Sequence, residues 1–467
     1  MFIHFSVNPF DSIEHNCVGT SPDCIPASKF NPTNLSTDQW VQTAVALGAK
    51  EICLTAHHEG GFCLWDTQYS DYSVMHSPYG KDIVKQFVKS CQKYKVKPCY
   101  YMGPNANGYL SNLKQYTPHQ FVQAQLGMLT ELLENYPVKP SRLWWDHYPG
   151  GCATKDGKHS RLSPCPEGSF PDAWPLFIQL VREKSPNTII CPGPDCDGHQ
   201  GESGIGNYPS WNPCQPDPPP HGKHHTINTN TTLTCHHHAP DPSLTGFHPY
   251  EACATMTHGW FCKQDGAQQK HWRAADIWDH YMQSVGQGWI NTLNAPVCTT
   301  GQIFSGLVHE IKLFGKALRS LFDTVHAASS HDKTIVGPKC DNTTLIELQL
   351  NVSSSSTPPT FNAVILREEL SKGQRIVQYG LDYYDHHHHQ WVALPGVHGQ
   401  SVGNLLIDWV TAPATASKVR MRCVKAMAVP VYLKSVSVHT GFRPHGDTEN
   451  DNNENDNIDN DNLQANK

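Results

Sequence analysis

Apolar positions along the first 200 residues come in short runs that alternate with stretches of helical period. Met1–Val7, Glu51–His57, Lys97–Gly103, Arg142–His147 and Thr188–Cys191 read as strands. Between them, Thr37–Leu47, Lys81–Tyr94, Pro118–Tyr136 and Ala173–Lys184 repeat apolar residues every three or four positions and read as helices. Ser36 or Thr37 is a candidate cap for the first helix. The alternation predicts a parallel sheet covered by helices, either doubly wound or a (β/α)8-type barrel. No G-x-G-x-x-G follows the first strand, which disfavours a dinucleotide fold, and the length favours the barrel.

The pattern breaks over about 196–250, where Pro, Asn, His and Cys accumulate and predict a long, disulfide-tied loop excursion. It resumes with a helix over Trp272–Val285, a strand over Gly288–Asn294 and a helix over Leu307–Phe322. After about 340 the period becomes two. Leu345–Val352, Ala363–Leu366, Arg375–Leu381, Leu405–Val410, Val419–Cys423 and Val431–Val438 predict a β-sandwich module. The expected organisation is a barrel-like catalytic domain over 1–330, a sandwich over 331–442 and an acidic Asn/Asp-rich tail over 443–467 with no apolar periodicity, read as disordered.

Composition refines this picture. The net charge of −7 belongs almost entirely to the tail, which carries seven acidic residues and one Lys from Asp447 onward. The rest is nearly neutral, so a basic nucleic-acid footprint is absent. No apolar run approaches the ~20 residues of a membrane helix, and no membrane partner is expected. Seventeen Cys without C-x2-C pairs predict several disulfides, at least one unpaired thiol and an oxidising compartment. Sequons at Asn34, Asn230, Asn342 and Asn351 agree with a secretory route. No signal peptide precedes the first strand, so either the protein is not secreted or its N-terminus begins upstream.

In a barrel the chemistry sits at the C-terminal strand ends. Those places hold His4, the run His57-His58-Glu59, Tyr100 and Tyr101, Asp146 behind Trp144-Trp145, and then Asp195 and Glu202. A carboxylate beside two indoles, with a second carboxylate on a neighbouring glycine-flanked loop, suits glycoside hydrolysis, which needs two carboxyl groups on either side of the scissile bond. Indoles stack on sugar faces, and His and Tyr serve hydroxyls. A metal-dependent barrel hydrolase built on His57, His58 and Asp146 is an alternative, although H-E-x-x-H is missing. The His386–His389 run reads as a turn.

Several blocks, in order, resemble the alpha-L-fucosidases of glycoside hydrolase family 29. Phe2-Ile3-His4-Phe5-Ser6-Val7-Asn8 is similar to F-I-H-F-G-x-N, and Leu54 to Trp65 to L-T-A-K-H-H-D-G-F-C-L-W. Leu143-Trp144-Trp145-Asp146 resembles L-W-F-D, and Gly193-Pro194-Asp195 with Gly201-Glu202-Ser203-Gly204 resembles G-P-D followed by G-N-E-x-G. Glu251 with Gly259-Trp260-Phe261, Leu293-Asn294-Ala295-Pro296, and Arg367-Glu368-Glu369 to Gly373-Gln374-Arg375-Ile376 continue the match to about residue 440. The resemblance implies a retaining exo-glycosidase that releases L-fucose from fucosylated glycans or glycoproteins without a cofactor or metal. It implies Asp146 as nucleophile and Glu202 as acid/base, their carboxyl groups about 5–5.5 Å apart. His4, His58, Glu59, Trp65, Tyr101 and Trp260 would bind substrate. The chain departs from the motif where the second His becomes Glu59 and the next Asp becomes Gly60, so hydroxyl recognition is expected to differ. A fucose-binding pseudoenzyme is the alternative of another class. The resemblance also implies residues upstream of the first strand, including a secretion signal, and a secreted or lysosomal location.

Overall fold

The computed structural model describes residues 1–17, 23–104, 106–114, 116–146, 152–153, 159–160, 174–191, 194–195, 199–200, 251–263, 269–329, 333–351, 357–397 and 399–444. Eight parallel strands form one sheet: β1 (Phe2–Ile3), β2 (Glu51–His57), β3 (Lys97–Met102), β4 (Arg142–Trp144), β5 (Ile189–Ile190), β6 (His199–Gln200), β7 (Glu251–Thr255) and β8 (Ile290–Asn294). Their order is β5-β4-β3-β2-β1-β8-β7-β6. The sheet therefore runs around a barrel, and β5 and β6, consecutive in the chain, are its two edges. Helices α1 (Thr37–Leu47), α2 (Ile83–Tyr94), α3 (Pro118–Glu134), α4 (Trp174–Lys184), α5 (Ala274–Gln283) and α6 (Ser305–Asp323) cover the outside.

The helices begin where side chains can satisfy their first amides. Ser36 accepts from Gln39, Asp82 from Lys85, and Thr117 with Gln120 closes a capping box before Pro118. Their apolar faces and the outward strand residues form one large core. A second, smaller group fills the barrel interior: Phe2, Cys53, Cys99, Tyr101, Trp144 and Cys253.

β1 is shorter than the pattern predicts, because beyond Ile3 the amides of His4 and Phe5 donate to the side chains of Asn294 and Thr55 rather than to a neighbouring strand, and a 3-10 turn follows at Asn8–Asp11. β7, which the pattern missed, reads Glu-Ala-Cys-Ala-Thr. Its small residues carry little strand propensity, and it forms because β8 pairs with it over its whole length, Ile290–Asn294 against Glu251–Thr255.

Beyond α6 the chain builds two antiparallel sheets. One joins β9 (Val325–Ala328), β17 (Val431–His439), β12 (Thr360–Glu368) and β15 (Leu406–Thr415), with β10 (Ile335–Gly337) also on β17. The other joins β11 (Thr343–Gln349), β16 (Lys418–Ala426), β13 (Ile376–Asp385) and β14 (Gln390–Ala393). β9 enters the sandwich ahead of the expected boundary at 331. The His386–His389 run lies in the turn between β13 and β14. The sandwich meets the barrel layer where Trp409 packs edge-on against Trp278 of α5, their rings 5.3 Å apart.

Four disulfides lie among the described residues: Cys17–Cys24, Cys53–Cys99, Cys262–Cys298 and Cys340–Cys423. Cys63 and Cys91 are buried free thiols. Among the described residues no helix is long and apolar enough to cross a membrane.

Candidate active site

Side chains alternate inward and outward along a strand, and at the C-terminal strand ends the inward ones converge. Tyr101, inward on β3, stacks on Trp144 of β4 at 5.4 Å and 16°. On its other side it stacks with His58 at 5.3 Å and 18°. His58 lies 5.7 Å from His4, and His4 lies 4.9 Å from Trp260, which follows β7. Phe261 meets both imidazoles edge-on. These rings form a continuous aromatic wall around the barrel mouth. Asp146, just past β4, joins it by accepting a hydrogen bond of 2.9 Å from the Tyr101 hydroxyl at Oδ2.

The same alternation removes other candidates. His57 points away from His58 into the helix layer, where its ring stacks near Trp65 at 6.2 Å. Trp65 is fully buried there and its indole N–H donates to Glu131 of α3 at 2.9 Å. Trp65 therefore belongs to the barrel wall rather than to the ring cluster that was expected to include it. Trp145 likewise faces outward, against Trp174 and Phe177 of α4. His57, His58 and Asp146 are not brought together, and no metal-holding group of three or more His, Cys, Asp or Glu occurs among the described residues. Glu202 lies outside the described residues, as does the carboxyl separation that depends on it.

Each imidazole is tuned by its surroundings. The Asn294 amide donates to Thr255 Oγ1 at 3.0 Å and to the Trp260 carbonyl at 2.9 Å, so its Oδ1 must face His4. His4 Nδ1–H therefore donates to that oxygen at 2.9 Å. Burial, with His58 nearby, holds His4 well below the usual histidine range despite this bond, so the ring is neutral and presents Nε2 as an acceptor. Burial also lowers His58, against the opposing pull of Glu59 and Asp146.

Beneath the rings, Glu251 is fully buried and accepts from the Trp144 indole at 3.0 Å and from Arg142 at 2.6 Å. Arg142 also reaches Glu51 at 2.8 Å and Thr292 at 3.2 Å. This closed ionic network fixes Trp144, and through the stack it fixes Tyr101 against Asp146. Glu251, singled out in the sequence only as part of a block, is thus a supporting residue.

Three participants escaped the pattern. Asn294 and Phe261 lie in recognised blocks but carry no chemistry that marks them alone. Glu14 sits in an irregular loop. Its carboxylate accepts from the backbone N–H of Trp260 at 3.0 Å and pairs with Lys263 at 3.3 Å, which holds the Trp260-Phe261 turn over the mouth. The Cys262–Cys298 disulfide ties that turn to the loop after β8. Glu59 is nearly fully buried beside His58 and accepts a hydrogen bond from His15.

A parallel barrel whose C-terminal mouth holds a carboxylate among aromatic and imidazole rings is an arrangement that glycoside hydrolases use. The alpha-L-fucosidase family model matches residues 26–320, and the chain belongs to that family. It is 25% identical over 442 residues to alpha-L-fucosidase 1 of Arabidopsis thaliana, covering 86% of this chain and 78% of the relative. Among solved structures, a putative alpha-L-fucosidase from Bacteroides ovatus superposes with a TM-score of 0.73 at 22% identity, covering 97% of this chain and 73% of that one. A mutant Ruminococcus gnavus family 29 fucosidase in complex with fucose superposes at 0.68 with 17% identity, covering 96% and 93%.

Proposed function

We propose that the protein releases L-fucose from the non-reducing ends of fucosylated glycans, with retention of configuration. The observation that carries this reading is the Tyr101–Asp146 hydrogen bond inside the ring wall, because it fixes a carboxylate among the aromatic and imidazole rings at the barrel mouth, groups that suit a sugar. Asp146 attacks the anomeric carbon as the bond to the aglycone oxygen breaks, and Glu202 protonates that oxygen. Glu202 then takes a proton from water, whose oxygen attacks the same carbon and releases Asp146. His4 Nε2 accepts from a sugar hydroxyl. His58 and Trp260 close the pocket, with Glu59 as the additional polar group. No metal or cofactor enters the reaction.

The disulfides support an oxidising environment, hence a secreted or lysosomal enzyme acting on glycoproteins or free glycans.

Proton NMR of the first product from an aryl α-L-fucoside tests the reading. Retention delivers α-L-fucose first, with the β anomer appearing only by mutarotation. Initial β-L-fucose, or turnover of other hexosides in preference to fucosides, would refute it.

A further inference from the structure

Of the four sequons, those at Asn34 and Asn342 lie wholly within the described residues. Ser36 and Thr344 supply their hydroxyl positions, and Leu35 and Thr343 stand between. A sequon marks both asparagines alike. The fold decides whether the amide nitrogen, the atom that takes the sugar, stands open.

Asn34 lies between β1 and α1, on the side of the barrel where the strands end. Its backbone is fastened there. The N–H donates to the Thr300 carbonyl at 2.8 Å, and the carbonyl accepts from the Gln302 side chain at 3.1 Å. The side chain stays outside this clasp, exposed and without a hydrogen bond among the described residues.

Asn342 lies in the turn before β11, the edge strand of its sheet. The Cys340–Cys423 disulfide ties this turn to β16. The backbone is left-handed at φ +67°, which Asn adopts more readily than most residues. Arg422, itself held by Asp382 at 2.6 and 2.9 Å, donates to the Asn342 side chain. A guanidinium only donates, so the atom it meets is Oδ1. Nδ2 is the end left over, on an exposed residue, and has no partner among the described residues. Attachment of a sugar uses Nδ2 alone. Oδ1 remains an acceptor, so the Arg422 bond survives the modification.

We propose that Asn34 and Asn342 are N-glycosylation sites, modified from a diphosphate-activated oligosaccharide. Nδ2 bonds to the anomeric carbon of the donor's first sugar, the bond from that carbon to the diphosphate oxygen breaks, and one amide proton is released. Each glycan then projects into solvent from an anchored backbone. This rests on the secretory reading above and adds the modified residues to it.

The test uses the full chain secreted from cultured eukaryotic cells. Peptide N-glycosidase converts a glycosylated Asn to Asp, and peptide mass spectrometry without reduction then reads both residues and disulfides. Asn34 and Asn342 should be read as Asp. Asn34→Gln should migrate one glycan smaller than wild type on a gel. Asn342→Gln would also disturb the left-handed turn and the Arg422 bond. Thr344→Val breaks the second sequon at an exposed strand position and keeps Asn342, and it too should migrate one glycan smaller. Either Asn left wholly unmodified, in protein whose Cys262–Cys298 and Cys340–Cys423 disulfides have formed, would overturn the proposal. Reduced cysteines at those positions would instead refute the secretory reading, and the proposal with it.

Discussion

At the residue scale the site depends on which side of a strand end each side chain takes. Two residues that neighbour each other in sequence, His57 and His58, end in different layers, and so do Trp144 and Trp145. The motif identifies both members of each pair but not which one enters the mouth, since that follows from register. Asp146 and Tyr101 were legible as candidates because they end successive strands. Their direct hydrogen bond was not, because it needs the stack on Trp144 and the Glu251 carboxylate contributed by β7. Hydrogen bonds to a charged group contribute about 1.5–3 kcal/mol. Tyr101→Phe should therefore lower kcat/KM on an aryl α-L-fucoside by roughly 10- to 100-fold, with the melting temperature little changed. Steady-state kinetics beside a thermal melt checks this, and unchanged kinetics would remove Tyr101 from the positioning of Asp146.

At the element scale the helix layer is set by a few close approaches. Gly315 in α6 packs against the end of α1, where a Cβ would lie 1.8 Å from the Ala46 carbonyl oxygen. Backbone cannot yield as a flexible side chain does, so Gly315→Ala should push the two helices apart and cost roughly 2 kcal/mol or more. Chemical denaturation checks this, and a variant as stable as wild type would mean that α1 and α6 tolerate wider spacing. The helices were legible from their caps and apolar period, and the antiparallel strands of the sandwich from their alternation. β7 was not, because a strand of small residues buried on both faces shows neither signal. β9 and β14 were also missed: each has only four residues, too few to establish a period.

At the scale of the whole molecule, buried titratable groups make stability depend on pH in two opposing ways. Burial lowers His57 and His280 to about 4. The unfolded chain binds these protons near 6.5, so their contribution is complete above that value and is lost as pH falls toward 4. Burial raises Glu368 to about 7, so its protonation in the fold adds stability as pH falls through 7. The contribution of His57 is isolated by difference. Melting temperatures of wild type and His57→Gln should converge as pH drops from 6.5 to 4, with wild type losing up to about 3 kcal/mol more. Parallel curves would show that His57 is protonated in the fold as it is in the unfolded chain. The general design, a helix-covered parallel sheet followed by a sandwich, was legible from the change of period, and the chain length favoured the barrel over a doubly wound sheet. Its function was not legible from any single residue and depends on the strand ends converging at one mouth. The central claim is that Asp146 is the nucleophile of an alpha-L-fucosidase, and azide rescue addresses it most directly. Asp146→Ala should lose at least a thousandfold in turnover of an aryl α-L-fucoside, and added azide should restore part of it with β-L-fucosyl azide as the product. A variant that keeps wild-type turnover without azide would contradict the account.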